Sequence, residues 1–365
     1  MSEDSLQSPV RKRDSNLELF RIVIMLVIIA HHYVVNSGLS DLIFANPSVG
    51  PYNVFLALLG CGGKTGINCF VLITGYYLCR SHFRPGKFLR LFGEMEFYTI
   101  IIYFIFAATG YEKLSLGTLL YYISPFQDVT TSFTYCFLLF YLATPFLSKM
   151  IAALNQREHL GLTALCLFIY TFLPSLNIGI AVSFNYFTWF IVLALVGSYL
   201  ERYPRPWFSR TALWGALSLA SLALSFGSVL WMMVRSVAMG NGTYSYSYVY
   251  YYVIDSNKIL ALVTAVCLFM FFKNIRLPYS RIINTIASSV FGVLLIHANS
   301  DAMRHWLWQD FLHCPSLYES RWLPLHAALS ILGVFAVCVV IDQIRIRLIE
   351  RPAEKICIRI RDKLQ

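Results

Sequence analysis

The sequence predicts an all-α, polytopic membrane protein of about ten transmembrane helices with both termini in the cytoplasm. Composition, apolar periodicity and the placement of basic residues each point there. Of 365 residues, 58% are hydrophobic and only 13% charged. The mean hydropathy of +0.62 is that of a chain dissolved in a bilayer rather than of two soluble domains. Aromatic residues reach 16%, in keeping with a wide lipid-facing surface and interfacial belts.

The elements follow in order. Residues 1–16 are polar and basic and run into an apolar stretch with no small-residue cleavage site, which predicts a retained first helix, not a signal peptide. A bilayer core takes roughly 20 mostly apolar residues per helix. On that basis spans are predicted near 17–36, 53–79, 88–109, 132–150, 159–176, 185–200, 211–234, 259–273, 282–299 and 322–348. The whole forms one membrane domain over 17–350, between a cytoplasmic tail at 1–16 and a basic one at 351–365. The second span is interrupted by Gly60-Cys61-Gly62-Gly63-Lys64-Thr65-Gly66. Such irregular backbone persists at membrane depth only where protein or a wet cavity surrounds it.

The basic residues test this layout. Arg11 to Arg13, Arg80 to Arg90, Lys149 and Arg157, Arg202 to Arg210, Lys273 to Arg281 and the run from Arg345 to Lys363 all fall on one side. Lys113, Arg235, Lys258, Arg304 and Arg321 alone fall on the other. The positive-inside rule makes the crowded side cytoplasmic. The net charge of +10 is thereby explained as topology, and a nucleic-acid partner is excluded. The nine cysteines are scattered, with no C-x-x-C pair or zinc-type cluster, so they read as apolar packing residues and no metal is predicted.

Ionisable groups within a span cost several kcal/mol, about 2.5 to 3.5 for Arg on insertion scales, and mark functional sites. The first helix holds Glu18, Arg21, His31 and His32. Eleven residues at 100° each put His32 three turns and about 20° on from Arg21, roughly 16 Å along the same face. His31 sits about 100° off that face. A snorkelling Arg and end-capping histidines would be the bland account. His297, near the outer end of the ninth span, brings another imidazole to a similar depth and argues for a shared site. The segment Thr243 to Tyr252 is dense in tyrosine beside Asp255 and reads as an aromatic belt, or alternatively as a platform for a sugar ring. Asn241-Gly242-Thr243 has the glycosylation-acceptor pattern.

Together these residues resemble the acyltransferase-3 family of membrane enzymes that O-acylate cell-surface glycans. Arg21 and His32 reproduce its R-x10-H motif. Phe70-Val71-Leu72-Ile73-Thr74-Gly75 is similar to F-F-x-x-S-G, and Lys87-Phe88-Leu89-Arg90 to R-x-x-R with Lys for one Arg. Phe140 to Pro145 resembles F-Y-L-x-x-P; Phe291 to His297 resembles the family's ninth-span segment, with Leu294 in its Tyr place; Ile349-Glu350-Arg351-Pro352 matches I-E-R-P. Departures lie before Pro145, where Ser132, Phe137 and Leu138 stand in place of the family's Trp and Glu.

The resemblance implies transfer of an acyl group, most often acetyl from acetyl-CoA, to a hydroxyl of a cell-surface or exported glycan at the bacterial cytoplasmic membrane. His32 is then the expected base or transient acyl carrier, since an imidazole with an unperturbed pKa of about 6.5 suits the task. Arg21, Lys87 and Arg90 are the expected ligands of the coenzyme phosphates, which need cations with directional donors. Arg80 and Arg84 either join them or serve only as topological anchors. His31, Glu18, Thr74, Gly75 and His297 are further candidates. Thr74 and Gly75 let substrate approach backbone closely, or else serve small-residue helix packing. The chain ends without a hydrolase-like extracytoplasmic domain, so the expectation is action alone or with a glycan-assembly partner. A small-solute transporter, akin to the membrane domains of amino-acid racemases, is the rival class.

Overall fold

The computed structural model describes residues 14–78, 83–124, 132–176, 182–240 and 242–353. Arg80, Asn241 and most of both predicted tails lie outside them. The described residues fold almost entirely into helices and contain no strand.

In chain order the principal helices are α1 Ser15–Val35, α2 Leu39–Ala45, α3 Pro51–Gly60, α4 Gly63–Leu78, α5 Pro85–Ala108, α6 Leu116–Ile123, α7 Phe133–Ala153 and α8 Gln156–Leu167. There follow α9 Tyr186–Arg202, α10 Thr211–Met239, α11 Ile259–Asn274, α12 Arg281–Ala287, α13 Val290–His297, α14 Asp301–His305 and α15 Leu323–Arg345. Six helical stretches among the described residues are long and apolar enough to cross a membrane: Ser15–Val35, Pro51–Leu78, Pro85–Ala108, Phe133–Ala153, Thr211–Met239 and Leu323–Ala353. The sequence reading expected about ten. The remaining four expected spans coincide with helices that are shorter or interrupted. One of them, Arg281–His297, turns by 96° into Asp301–Phe311 and makes a seventh crossing if the bent pair is one span.

The interruptions have local causes. Pro174 has no N–H to continue an α-helix, and the turn before it, Phe168–Phe172, widens to π geometry. Ile346–Glu350 does the same ahead of Pro352. Pro145 inside α7 strands the carbonyl of Tyr141, and the Thr144 hydroxyl donates to it at 2.6 Å, so the helix continues through the proline.

Small residues draw helices together. A Cβ on Gly75 of α4 would lie 2.8 Å from Ala194 Cα of α9, and one on Gly197 would lie 2.7 Å from the Tyr76 nitrogen. Close backbone approach of this kind is how helices associate in lipid. Gly62 and Gly66 admit Val27 and Ile28 of α1 in the same way.

Part of the tyrosine-rich segment turns into the protein instead of forming a belt or platform. Tyr244 and Tyr250 are buried and donate to the Ser48 and Ala57 carbonyls at 3.1 and 3.0 Å, and Tyr251 donates to Pro174 at 3.0 Å. Their hydroxyls satisfy carbonyls in the loop at Ser48 and in the last turns of helices ending at Gly60 and Ser175. The seven described cysteines are all free, and six are buried.

Candidate active site

The break in the second span positions the first imidazole. Because the helix stops at Gly60 and restarts at Gly63, the Gly60 carbonyl is freed, and His31 Nδ1 donates to it at 2.5 Å. The ring lies so close over Gly63 that a Cβ there would meet its Cδ2 and Cγ at 2.4 Å.

The second imidazole is set by a relay. His297 ends α13 fully buried, and its Nδ1 lies 2.6 Å from the Val293 carbonyl. A carbonyl only accepts, so Nδ1 carries the hydrogen and the Nε2 of neutral His297 is an acceptor. That Nε2 lies 2.9 Å from His32 Nδ1, which must therefore donate. The Nε2 lone pair of His32 is thereby left without a protein partner among the described residues. His31, donating through Nδ1, is left in the same state. The His31 and His32 rings are 5.7 Å apart, and those of His32 and His297 5.1 Å.

Both α1 histidines border a cavity of about 510 Å³. Gly63, Lys64, Tyr186, Glu112, Tyr122, Asp301 and Arg304 also line it, so the irregular backbone of the break does face a polar space. Tyr122 donates to Glu112 Oε1 at 3.0 Å, and Arg304 pairs with Asp301. Lys64 Nζ donates to Tyr186 Oη at 2.7 Å.

The other predicted residues lie elsewhere. Arg21, on the unbroken helix α1, sits three turns from His32 and pairs with Glu18 at 3.0 Å. At that end of the molecule Asn284 donates to Ser15 Oγ at 2.9 Å, and Gln343 donates to the Thr285 carbonyl at 3.0 Å. Lys87 lies over the Tyr141 ring, 5.2 Å from its centroid, and Arg90 meets Glu350 at 3.3 Å. Arg84 is exposed just before α5. The Thr74 hydroxyl donates to the Phe70 carbonyl of its own helix at 3.3 Å, and α9 packs into the space at Gly75. Thus the structure gathers His31, His32 and His297 and leaves Arg21, Lys87 and Arg90 at a distance from them.

Sequence reasoning missed Lys64 and Tyr186 as cavity residues, although a lysine inside a span was the signal that could have found the first. It also counted Arg345 simply among the basic residues of the cytoplasmic side. Arg345 is 7% exposed and binds Asp342 at 2.8 Å, Glu94 at 3.0 Å and Glu350 at 2.9 Å. Among the described residues no group of three or more His, Cys, Asp or Glu is placed to hold a metal ion.

The family model described as an acyltransferase domain, acyltransferase-3, matches residues 14–343. The chain belongs to the acyltransferase-3 family. It is an integral membrane acyltransferase, and the matched stretch contains Arg21 and His32 and stops short of Ile349 to Pro352. No curated protein and no solved structure matches it. For an acyltransferase-3 enzyme the arrangement offers two imidazoles with accessible lone pairs on a polar cavity, and cations at the far end of the helix that carries them.

Proposed function

We propose that this enzyme moves an acyl group, acetyl from acetyl-CoA, to a hydroxyl of a cell-surface or exported glycan, working in a bacterial cytoplasmic membrane with both termini inside. The observation that carries the reading is the tautomer relay. Val293 fixes His297, His297 fixes His32, and the Nε2 of His32 is left as a base on a polar cavity.

In this reading the phosphates of the coenzyme lie at Arg21, Lys87 and Arg90, in competition with Glu18 and Glu350 for two of those cations. The pantetheine arm runs along about three turns of α1 to bring the thioester to His32. The glycan hydroxyl enters the cavity from the opposite side. His32 Nε2 takes the hydroxyl proton as the oxygen attacks the carbonyl carbon; the carbon–sulfur bond then breaks, and the thiolate leaves with that proton. His297 positions His32 and steadies the imidazolium formed on the way.

The test is transfer of radiolabel from acetyl-CoA into membrane glycan by vesicles containing the wild-type protein or His32→Ala. Label that appears with wild type and vanishes with a folded His32→Ala variant supports the reading. Undiminished transfer by that variant removes His32 from the mechanism.

A further inference from the structure

Lys64 lies inside the span Pro51–Leu78, on the first turn of α4, half-buried at the wall of the cavity. A cation there is expensive, and proteins ordinarily offset the cost with a carboxylate. Lys64 has none within ion-pair range among the described residues. Among the described residues its Nζ has one polar partner, the neutral Tyr186 hydroxyl at 2.7 Å. The cavity's two carboxylates are engaged elsewhere, Glu112 by Tyr122 and Asp301 by Arg304. His31 and His32, which share the wall, are neutral donors through Nδ1 and bring no negative charge.

The pair has a specific donor geometry. Tyr186 Oη accepts from Lys64, so its own hydrogen remains to be donated, and no acceptor for it lies among the described residues. Lys64 keeps two further N–H donors. One ammonium and one phenol held 2.7 Å apart are close enough to donate together to a single oxygen atom. Phosphate recognition calls instead for the fork of an arginine or several cations together. What suits one ammonium and one hydroxyl is an oxygen that becomes negative during reaction.

We propose that Lys64 and Tyr186 form the oxyanion-stabilising pair of the acyl transfer and are further catalytic residues. This rests on His32 being the base of that transfer. As the acceptor oxygen bonds to the thioester carbon, the carbonyl π electrons move onto its oxygen and the hydroxyl proton moves to His32 Nε2. The oxyanion accepts hydrogen bonds from Lys64 Nζ and Tyr186 Oη. Its collapse re-forms the carbonyl, breaks the carbon–sulfur bond, and the departing thiolate takes the proton from His32. Lys64 and Tyr186 keep their own protons throughout.

The experiment compares full-length Lys64→Met and Tyr186→Phe with wild type on two readouts: thermal unfolding in detergent, and steady-state label transfer from acetyl-CoA. Loss of one oxyanion donor costs about 10²- to 10³-fold in kcat where this has been measured. Lys64→Met is expected to lower kcat by about that factor, with KM for acetyl-CoA within about twofold of wild type. Its unfolding temperature is expected to equal or exceed that of wild type, because an uncompensated intramembrane cation has been removed. Tyr186→Phe loses less, and the double variant falls no further than the two losses multiplied. A Lys64→Met protein that melts several degrees lower marks the lysine as structural and overturns the proposal. So does one that transfers at the wild-type kcat, with or without a raised KM. Wild-type vesicles that transfer no label refute the acetyl-CoA reading itself, an outcome distinct from a defect confined to the variants.

Discussion

Replacing His297 with leucine removes the acceptor that holds His32 Nδ1–H at 2.9 Å while keeping a buried side chain of similar bulk. Two quantities change. A hydrogen bond to a group that becomes charged contributes about 1.5 to 3 kcal/mol, and here it acts on the imidazolium formed as His32 takes the proton. At about 1.4 kcal/mol per decade, that loss slows transfer roughly 10- to 150-fold. His32 is also released to exchange tautomers and to rotate, which removes its lone pair from the cavity for part of the time and adds to the loss. His297→Gln is the control, because an amide offers an oxygen to His32 and an N–H to the Val293 carbonyl, the same two roles the imidazole fills. The assay is kcat for label transfer in reconstituted vesicles, with detergent-solution size and unfolding temperature checked for each variant. The expected order is wild type, then His297→Gln, then His297→Leu, with KM for the donor little changed. A folded His297→Leu enzyme within twofold of wild type would refute the relay, and so would a glutamine variant no better than the leucine one.

Other perturbations test the remaining geometry. Gly63→Ala puts a methyl group 2.4 Å from ring carbons of His31 and must displace that ring, so activity is expected to fall about as far as in His31→Ala, measured by the same transfer assay. Arg90→Ala removes the partner of Glu350 and, in the proposed reading, a phosphate ligand; apparent KM for acetyl-CoA is expected to rise more than that for the acceptor, and equal rises count against phosphate binding. Gly292→Ala would bring its methyl to 2.3 Å from Asp342 Oδ1, against a carboxylate already held by Arg345 and Tyr98, and is expected to destabilise by about 1 to 3 kcal/mol, read as a lowered unfolding temperature.

The membrane class and the two α1 histidines were legible because they depend on hydropathy and on the fixed period of one helix. The depth of His297 was legible for the same reason. Its contact with His32 was not, because a pairing across 265 residues depends on how α13 packs, and no local pattern encodes that. The glycine-rich break was readable as a break next to protein or water. That it frees the Gly60 carbonyl for His31 required the relative position of α1. Gly75 showed how one residue type serves two ends: its smallness was plain in the sequence, whereas whether substrate or α9 would fill the space was not. Span counting was coarser still. The π turn before Pro174 and the bend after His297 interrupt helices that hydropathy alone reads as continuous. Arg345 misled because an arginine near the end of a span looks the same in sequence whether it reaches lipid headgroups or three carboxylates, two of them buried.

The glycine contact between α4 and α9 has a mechanical meaning for the cavity. The two helices run parallel: Lys64 meets Tyr186 at their starts, Trp189 Nε1 donates to Asn68 Oδ1 at 2.8 Å farther along, and Gly75 and Gly197 close the pair. Each glycine follows its cavity residue by eleven positions, a lever arm of about 16 Å. With the glycine clamp as fulcrum, an opening of only about 3 to 4° would separate Lys64 from Tyr186 by roughly 1 Å. Displacements of about that size can cost 10²-fold in rate. The angular tolerance of the site is therefore set three turns away, by two glycines at a helix contact.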